Sequence, residues 1–502
     1  MKRLYIKWML AVVAASLLVT GCRKIEDLQK NPNVSDQASP KLLLTGIEYD
    51  MYDNAWSDYS YAHRMAQVFV LNFDYYGNQS YAWGAADYNL YTTLRNVGRL
   101  EIEAGKQGAN LVTANYRAIA KFMRAWAYSR MTSRMGDIPL SDAMNASEGV
   151  YYPKYDKQKD VFKQCLVWLD DANTLLDSIA KVNPATAVDG DIFYGGDLSR
   201  WRKAVNALSL RILIALSKKE GDTELDIKGR FNAIISNPAK YPLMVDNHDN
   251  LQMTYNGTDK SNNFPLFPTG GTFYVTRAPL CATWLDLLTA VKDARVFKIA
   301  QPASGLADDP LNPFARYKGA KTGDIQSVVQ DQTNQGKYAS LNQAYWLKDA
   351  NGIPCIQLSV SEQLFNIAEG INRGWATGDA AASYKKAIEL STEFYGTAQD
   401  PTFWIQPAVA YKGNNAAGLQ QILTQKYVAF FNNSGYEAYF NYRRTGVPVF
   451  NIGPSNENGG LIPVRFSYPQ SEYTNNSQNV QAAVQSQFGG ADTRNDVMWL
   501  LK

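Results

Sequence analysis

The chain has 502 residues, 46% hydrophobic and 19% charged, with a formal charge of +3. This excludes disorder as the overall state and leaves room for a large core and for about two to four domains. Lys2, Arg3 and Lys7 lie in the first 21 residues, and without them 47 basic residues face 47 acidic ones, a neutral balance that removes the electrostatic ground for nucleic acid as a partner. The two histidines, His63 and His248, have no second His or Cys at ligand spacing nearby, so no metal site is expected.

The first element is a leader. Met1 to Lys7 carries the three positive charges, and Trp8 to Val19 is an apolar run of 12 residues broken by Ser16, too short to span a membrane. It ends in Leu18-Val19-Thr20-Gly21-Cys22, a lipobox, which predicts a signal peptide over residues 1–21 and lipidation of Cys22. The acyl chains would be the membrane anchor. Residues 22–40 are polar, carry Asn31-Pro32-Asn33, and are expected to form the lipidated tether. Cys165, Cys281 and Cys355 follow at wide spacing without a CxxC; Cys165 falls on the apolar stripe of a helix and reads as a small buried hydrophobe.

Residues 41–502 are expected to form one domain. In Thr113 to Met131, Tyr116, Ile119, Ala120, Met123, Trp126 and Ala127 recur three and four apart, and Gly136-Asp137-Ile138-Pro139 stops the helix. Val161 to Ile179 repeats the pattern and ends at Asn183-Pro184. Ser199 is the expected N-cap of a helix through Trp201, Leu208 and Leu216, closed by Lys218, Lys219 and Gly221. After this first helical section, residues 41–228, periodicity disappears over 229–355, where Asn, Asp, Gly and Pro cluster around one helix near Trp284 to Val291. Helices return over 356–450. Ser359-Val360-Ser361-Glu362 has the form of a capping box, Asp379 caps a stripe that Gly396 stops, and Leu419 to Phe431 forms another stripe. Residues 451–502 read as an irregular tail. The fold class predicted is mainly α: tetratricopeptide-like helical hairpins carrying a long loop-rich section.

Several segments together resemble the SusD/RagB family of Bacteroidetes outer-membrane lipoproteins. Gln425-Lys426-Tyr427-Val428-Ala429-Phe430-Phe431, Gly435-Tyr436-Glu437-Ala438-Tyr439 and Asn441-Tyr442-Arg443-Arg444-Thr445-Gly446 are similar to that family's ending, and Tyr427 and Tyr439 stand where Trp is frequent. Arg124-Ala125-Trp126-Ala127-Tyr128 with Gly136-Asp137-Ile138-Pro139-Leu140 resembles its helix and GDxPL turn, and Asp293-Ala294-Arg295 and Tyr317-Lys318-Gly319 resemble a subgroup with a smaller variable half. The resemblance implies a SusD-like fold with one face on a SusC-like TonB-dependent transporter, and a loop-borne site for an oligosaccharide or, alternatively, a peptide. It also implies outer-membrane attachment by the N-terminal lipid, with display at the cell surface, and no enzymatic activity.

Sugar sites stack an aromatic ring on the pyranose face and use amides and guanidinium groups for the hydroxyls. Asn72, Tyr75, Tyr76, Asn78, Tyr81 and Trp83 interleave those residue kinds in an expected loop, where the resemblance also places part of the ligand face. Phe273, Tyr274 and Arg277, after Gly270-Gly271, form a second candidate. The opposing reading is that these rings pack loops against helices. Ser178-Ile179-Ala180-Lys181, Ser261-Asn262-Asn263 and Lys321-Thr322-Gly323 follow the order of penicillin-binding enzymes, but Ser178 ends a helix where that chemistry needs it to open one. A glycoside hydrolase needs only two carboxylates; Glu362 and Glu369 lie two turns apart on one expected helix, the first explained by capping and the second by a solvated face. No Walker, Rossmann or EF-hand pattern occurs, so no cofactor is expected.

Overall fold

The computed structural model describes residues 38–51, 60–73, 79–267 and 276–502. The leader, Cys22 and the tether up to residue 37 lie outside the described residues. The first long helices are α1 (Pro40–Met51), α2 (Leu90–Gly105), α3 (Leu111–Met135), α4 (Gln158–Val182) and α5 (Leu198–Ala215), each packed on its predecessor in the chain. Their apolar stripes meet in one core, where Trp201 of α5 is fully buried with its ring 5.3 Å from Phe122 of α3. Cys165 lies in that core, as its stripe position predicts.

Helix ends show where the sequence reading succeeds and where it slips. The Asn110 side chain accepts from the Thr113 amide at 3.0 Å and opens α3. The last three carbonyls of α3 lack helical donors, and distant residues supply them: Arg443 to Ser133 (2.7 Å), the Phe466 amide to Arg134 (3.0 Å) and Arg465 Nε to Met135 (3.1 Å), while Thr132 O takes the Gly136 amide at 2.9 Å and Gln158 Nε2 at 2.7 Å. Asp137, just past this end, then accepts from the Gln158 amide at 2.8 Å and starts α4. The turn from Gly136 to Pro139 is thus a junction that ties two helices to the C-terminal third. The cap of α5 is Asp197, not Ser199: its carboxylate, two residues earlier, takes the Ser199 amide at 2.9 Å and the Arg200 amide at 3.3 Å. Lys218 and Lys219 do not close α5 either; their ammonium groups donate to the carbonyls of Leu501 and Lys502.

Beyond α6 (Ile227–Ser236), the loop-rich section holds α7 (Ala282–Ala290), α8 (Gln326–Asn334) and four short strands. β1 (Leu251–Met253) pairs antiparallel with β4 (Cys355–Leu358), and β2 (Ala300–Gln301) with β3 (Ser340–Leu341). Then come α9 (Val360–Asn372), α10 (Ala380–Phe394), α11 (Ala416–Ala429) and α12 (Glu437–Thr445), with α13 (Ser477–Phe488) in the tail. Ser359 caps α9 by accepting from the Glu362 amide at 3.0 Å, and Asp379 caps α10 at 2.9 Å.

α9 packs on α5, α10 and α11 and so joins the two helical sections. Buried charge marks that junction. Glu362 does not reach back to complete a capping box; its carboxylate holds Arg211 of α5 at 2.6 and 2.5 Å. Glu369 does not sit on a solvated face: it is fully buried and bound by Arg444 (2.5 Å), Arg373 (2.9 Å) and Lys426 (3.7 Å).

Candidate functional site

The two candidate segments, about two hundred residues apart in sequence, are brought together by main-chain hydrogen bonds. The Cys281 amide donates to Val68 O (2.8 Å), the Val70 amide to Pro279 O (2.9 Å) and the Asn72 amide to Arg277 O (3.1 Å), an antiparallel pairing that leads outward from the core. Asn72 is fully buried, and its side chain extends the pairing by donating to Thr276 O at 3.0 Å. The pairing stands on a fixed base. Gln67 and Tyr81 are in the left-handed region at φ +55° and +64°, which side chains tolerate only when the surroundings hold them there. Gln67 does so through Nε2, which donates to the Tyr81 hydroxyl and to Asn451 O, both at 2.8 Å, and through Oε1, which accepts from Thr283 at 2.6 Å.

At the outer end of the pairing Phe73 is 41% exposed, and the Arg277 guanidinium lies over its ring at 5.2 Å. A half-exposed ring with a guanidinium beside it forms a ledge that offers an apolar face and several donors to one ligand. Phe73 and Thr276 are the described residues that border 74–78 and 268–275 in the sequence. Tyr75, Tyr76 and Asn78 of the first candidate and Phe273 and Tyr274 of the second lie outside the described residues. Beneath the ledge Val70 packs with Cys281, Ala320 and Val329 of α8, and Ile325 and Val328 at the start of α8 are exposed. Burial, then the charge of Asp324, pushes the phenol of Tyr338 beside them upward.

Three of the predicted residues do not offer ligand surfaces. Trp83, 9% exposed, stands edge-on to Tyr439 at 5.1 Å and stacks near Phe466 at 6.1 Å. Tyr81 is buried and its hydroxyl donates to Asn451 O. Asn72 is the pairing residue described above. The expectation that these side chains face a sugar is corrected: they hold the base of the ledge. Phe73, by contrast, was absent from the candidates, although its place between Asn72 and Asp74 in the same alternating segment is the signal that marks it.

The other chemistries considered in the sequence do not assemble. The Ser178 hydroxyl donates to Thr174 O at 2.9 Å and Lys181 pairs with Asp177 at 2.7 Å. Glu362 and Glu369 are taken up in the ion pairs of α9. Burial alone would raise the Glu369 carboxyl, but Arg444, Lys426 and Arg373 outweigh it and hold the group at about 2, the opposite of what a proton donor requires. Among the described residues no three His, Cys, Asp or Glu side chains are grouped to hold a metal, and no helix is long and apolar enough to cross a membrane.

Comparison with known proteins adds a family. Residues 32–469 match the SusD-like family model described as starch-binding and associating with the outer membrane. Two SusD homologues of Bacteroides fragilis superpose with TM-scores of 0.82 and 0.79 at 31% and 28% identity, each covering 93% of this chain and 100% of its own. A chitin-binding protein superposes with a TM-score of 0.76 at 26% identity, over 92% of this chain and 100% of its own. No curated protein matches the sequence.

Proposed function

The chain belongs to the SusD-like family, and from that premise we propose that it is a non-catalytic outer-membrane lipoprotein that captures oligosaccharides and delivers them to a SusC-like TonB-dependent transporter. The family description as starch-binding and outer-membrane-associated, and a chitin-binding relative, support carbohydrate as the ligand class. Attachment runs through lipid on Cys22 and the tether, which ends where α1 begins at Pro40. The body is then held close to the membrane at the cell surface, within reach of the transporter.

The observation that supports the ligand site is the pairing of residues 68–72 with 277–281, which brings Phe73 and Arg277 together. Phe73 supplies an apolar face for a sugar ring and Arg277 supplies donors for its hydroxyls. Tyr75, Tyr76, Asn78, Phe273 and Tyr274, which follow Phe73 and precede Arg277 in the sequence, are the further residues proposed to contact the ligand. The base beneath the ledge is held in place, since Gln67 is hydrogen-bonded to both Tyr81 and Asn451. Such anchoring lowers the ordering that binding must impose.

The test is titration calorimetry of the purified chain with panels of starch and chitin oligosaccharides and of peptides, with chromatography of every sample afterwards. Saturable heat with oligosaccharides, all recovered intact, and its loss in Phe73→Ala with Arg277→Ala is the expected result. Saturation by peptides alone would replace the ligand class. Conversion of any oligosaccharide to shorter products would overturn the non-catalytic reading.

A further inference from the structure

The first helix after the tether, α1, is docked on the loop that joins α4 to α5. Thr45 Oγ1 donates to Gly190 O at 2.7 Å, and one turn further on the Ile192 amide donates to Glu48 Oε2 at 2.6 Å, so α1 grips the main chain on both sides of Asp191. The loop itself is fixed from behind. Asn115 and Tyr116 of α3 donate to Ala187 O and Asp189 O at 3.1 and 3.0 Å. The Asp191 carboxylate accepts from the amides of Phe193 (2.9 Å), Tyr194 (3.1 Å) and Gly196 (2.8 Å) and from the Trp201 indole N–H of α5 (2.9 Å).

Four N–H donors favour the ionised form of Asp191. Glu48 is differently placed. It is fully buried, its Oε1 has no hydrogen-bond partner among the described residues, and the side chain that meets it is the Asp191 carboxylate, a second acceptor. Two carboxylates in contact repel unless one of them carries a proton, and Glu48, with an oxygen that no donor reaches, is the one placed to carry it.

No cation relieves the pair. On α1 itself Lys41 and Asp50 are exposed, as are Arg95 of α2 and Arg117 of α3. Arg99 and Lys106 of α2 bind Glu103, and Glu101 binds Arg124 of α3. The charged side chains of the loop are the acidic Asp189, Asp191 and Asp197. On α5 the Arg200 guanidinium lies over the Tyr194 ring at 4.4 Å, while Arg202 and Lys203 bind Asp177 and Asp249. Burial, then the charge of Asp191, pushes the Glu48 carboxyl well above its ordinary range.

We propose that Glu48 keeps its proton in the folded chain and donates it from Oε1 to Asp191, so that α1 is held by a proton-dependent latch. Loss of that proton to solvent leaves two buried carboxylates facing each other, and α1 yields because the loop is tied to α3 and α5. A carboxyl raised in the folded state contributes stability that is complete below its unfolded value of about 4.3 and is lost as pH rises through the folded value. The helix that carries the tether is therefore held most firmly in acid and loosens toward alkaline pH, the opposite sign to the Glu369 pairs. The latch makes no use of the ledge.

Amide exchange on the full chain, read by mass spectrometry and corrected for intrinsic rates, tests the latch. Protection of α1 should fall by roughly tenfold for each pH unit between about 4.3 and the folded value, while α3 keeps its protection. Glu48→Gln supplies an amide able to make the same two contacts, a carbonyl for the Ile192 amide and an N–H for Asp191, and should remove that pH dependence. Infrared difference spectra in heavy water give the second reading: at about pH 6, where an ordinary Glu is ionised, the wild type should show a protonated-carboxyl band that Glu48→Gln lacks. Protection of α1 that does not change with pH in the wild type, or that changes equally in both proteins, overturns the proposal. So does the absence of the carboxyl band, and if Glu48→Gln does not fold, the exchange profile of the wild type decides alone.

Discussion

Replacement of Trp83 by alanine separates a packing residue from a binding residue. With 9% of its surface exposed, the indole is covered by Tyr439, Phe466 and Tyr81, its centroid 5.1, 6.1 and 6.3 Å from theirs. A covered aromatic side chain of this kind buries about 150–250 Å², which at about 25 cal/mol per Å² corresponds to roughly 4–6 kcal/mol of transfer free energy. Alanine keeps the Cβ share and the exposed edge contributes nothing, so the net loss falls to about 4 kcal/mol, within the range of about 3–5 for large aromatic truncations. Unfolding in urea, followed by far-UV circular dichroism, measures that loss, and calorimetry measures oligosaccharide affinity on the folded variant. The expected outcome is a large fall in stability with unchanged affinity. A fall below about 1 kcal/mol, the usual size for a surface site, together with lost binding, would show that Trp83 faces ligand and would refute the packing argument.

Phe73→Ala and Arg277→Ala reverse that pattern: each weakens oligosaccharide binding by about tenfold or more, since about 1.4 kcal/mol corresponds to a factor of ten. Each moves stability by about 1 kcal/mol or less, as befits a half-exposed cation–π pair, and calorimetry with a urea midpoint reads both. The Glu369 carboxyl, held at about 2 in the folded chain, has an unfolded value of about 4.3, so its ion pairs stabilise fully above about pH 4.3 and are lost as pH falls toward 2. That loss is roughly 3 kcal/mol at about 1.36 per unit; Glu369→Gln should flatten this part of the acid profile, and a parallel profile in the variant would count against it. Gly190 has φ +89°, and a Cβ there would stand 2.2 Å from Lys41 O, so Gly190→Ala should destabilise by more than about 1 kcal/mol and speed amide exchange in α1.

The helical scaffold was legible because apolar periodicity is a local property. Tyr116, Ile119, Met123 and Trp126 announce the buried face of α3 without reference to any other segment. The ledge was legible only in part. An alternation of rings and amides is the same pattern whether the rings meet a sugar or meet Tyr439 and Phe466, so Trp83 and Tyr81 were indistinguishable in kind from Phe73 until the fold showed which of them is covered. The pairing of residues 68–72 with 277–281 carries no signature in either strand, since main-chain hydrogen bonds do not depend on side-chain type.

Buried charge explains the remaining failures, and it also shows what they have in common. Carboxylates and guanidinium groups are usually exposed, so Glu362 reads naturally as a cap and Glu369 as part of a solvated face, and nothing in the sequence marks Arg211, Arg443 or Arg444 as their buried partners. Inside the fold they connect elements that touch no common neighbour in sequence: α5 to α9 through Arg211 and Glu362, α9 to α12 through Glu369 and Arg444, and α12 to the end of α3 through Arg443. Such pairs are costly to desolvate, and removing one partner leaves an uncompensated charge worth about 3–5 kcal/mol. Arg211→Met should therefore destabilise more than Arg211→Met combined with Glu362→Leu, although the double variant removes more interactions. If the double variant proved the weaker, the pair would be a net source of stability, and the junction of the two helical sections would rest on attraction between charges more than on the register they impose.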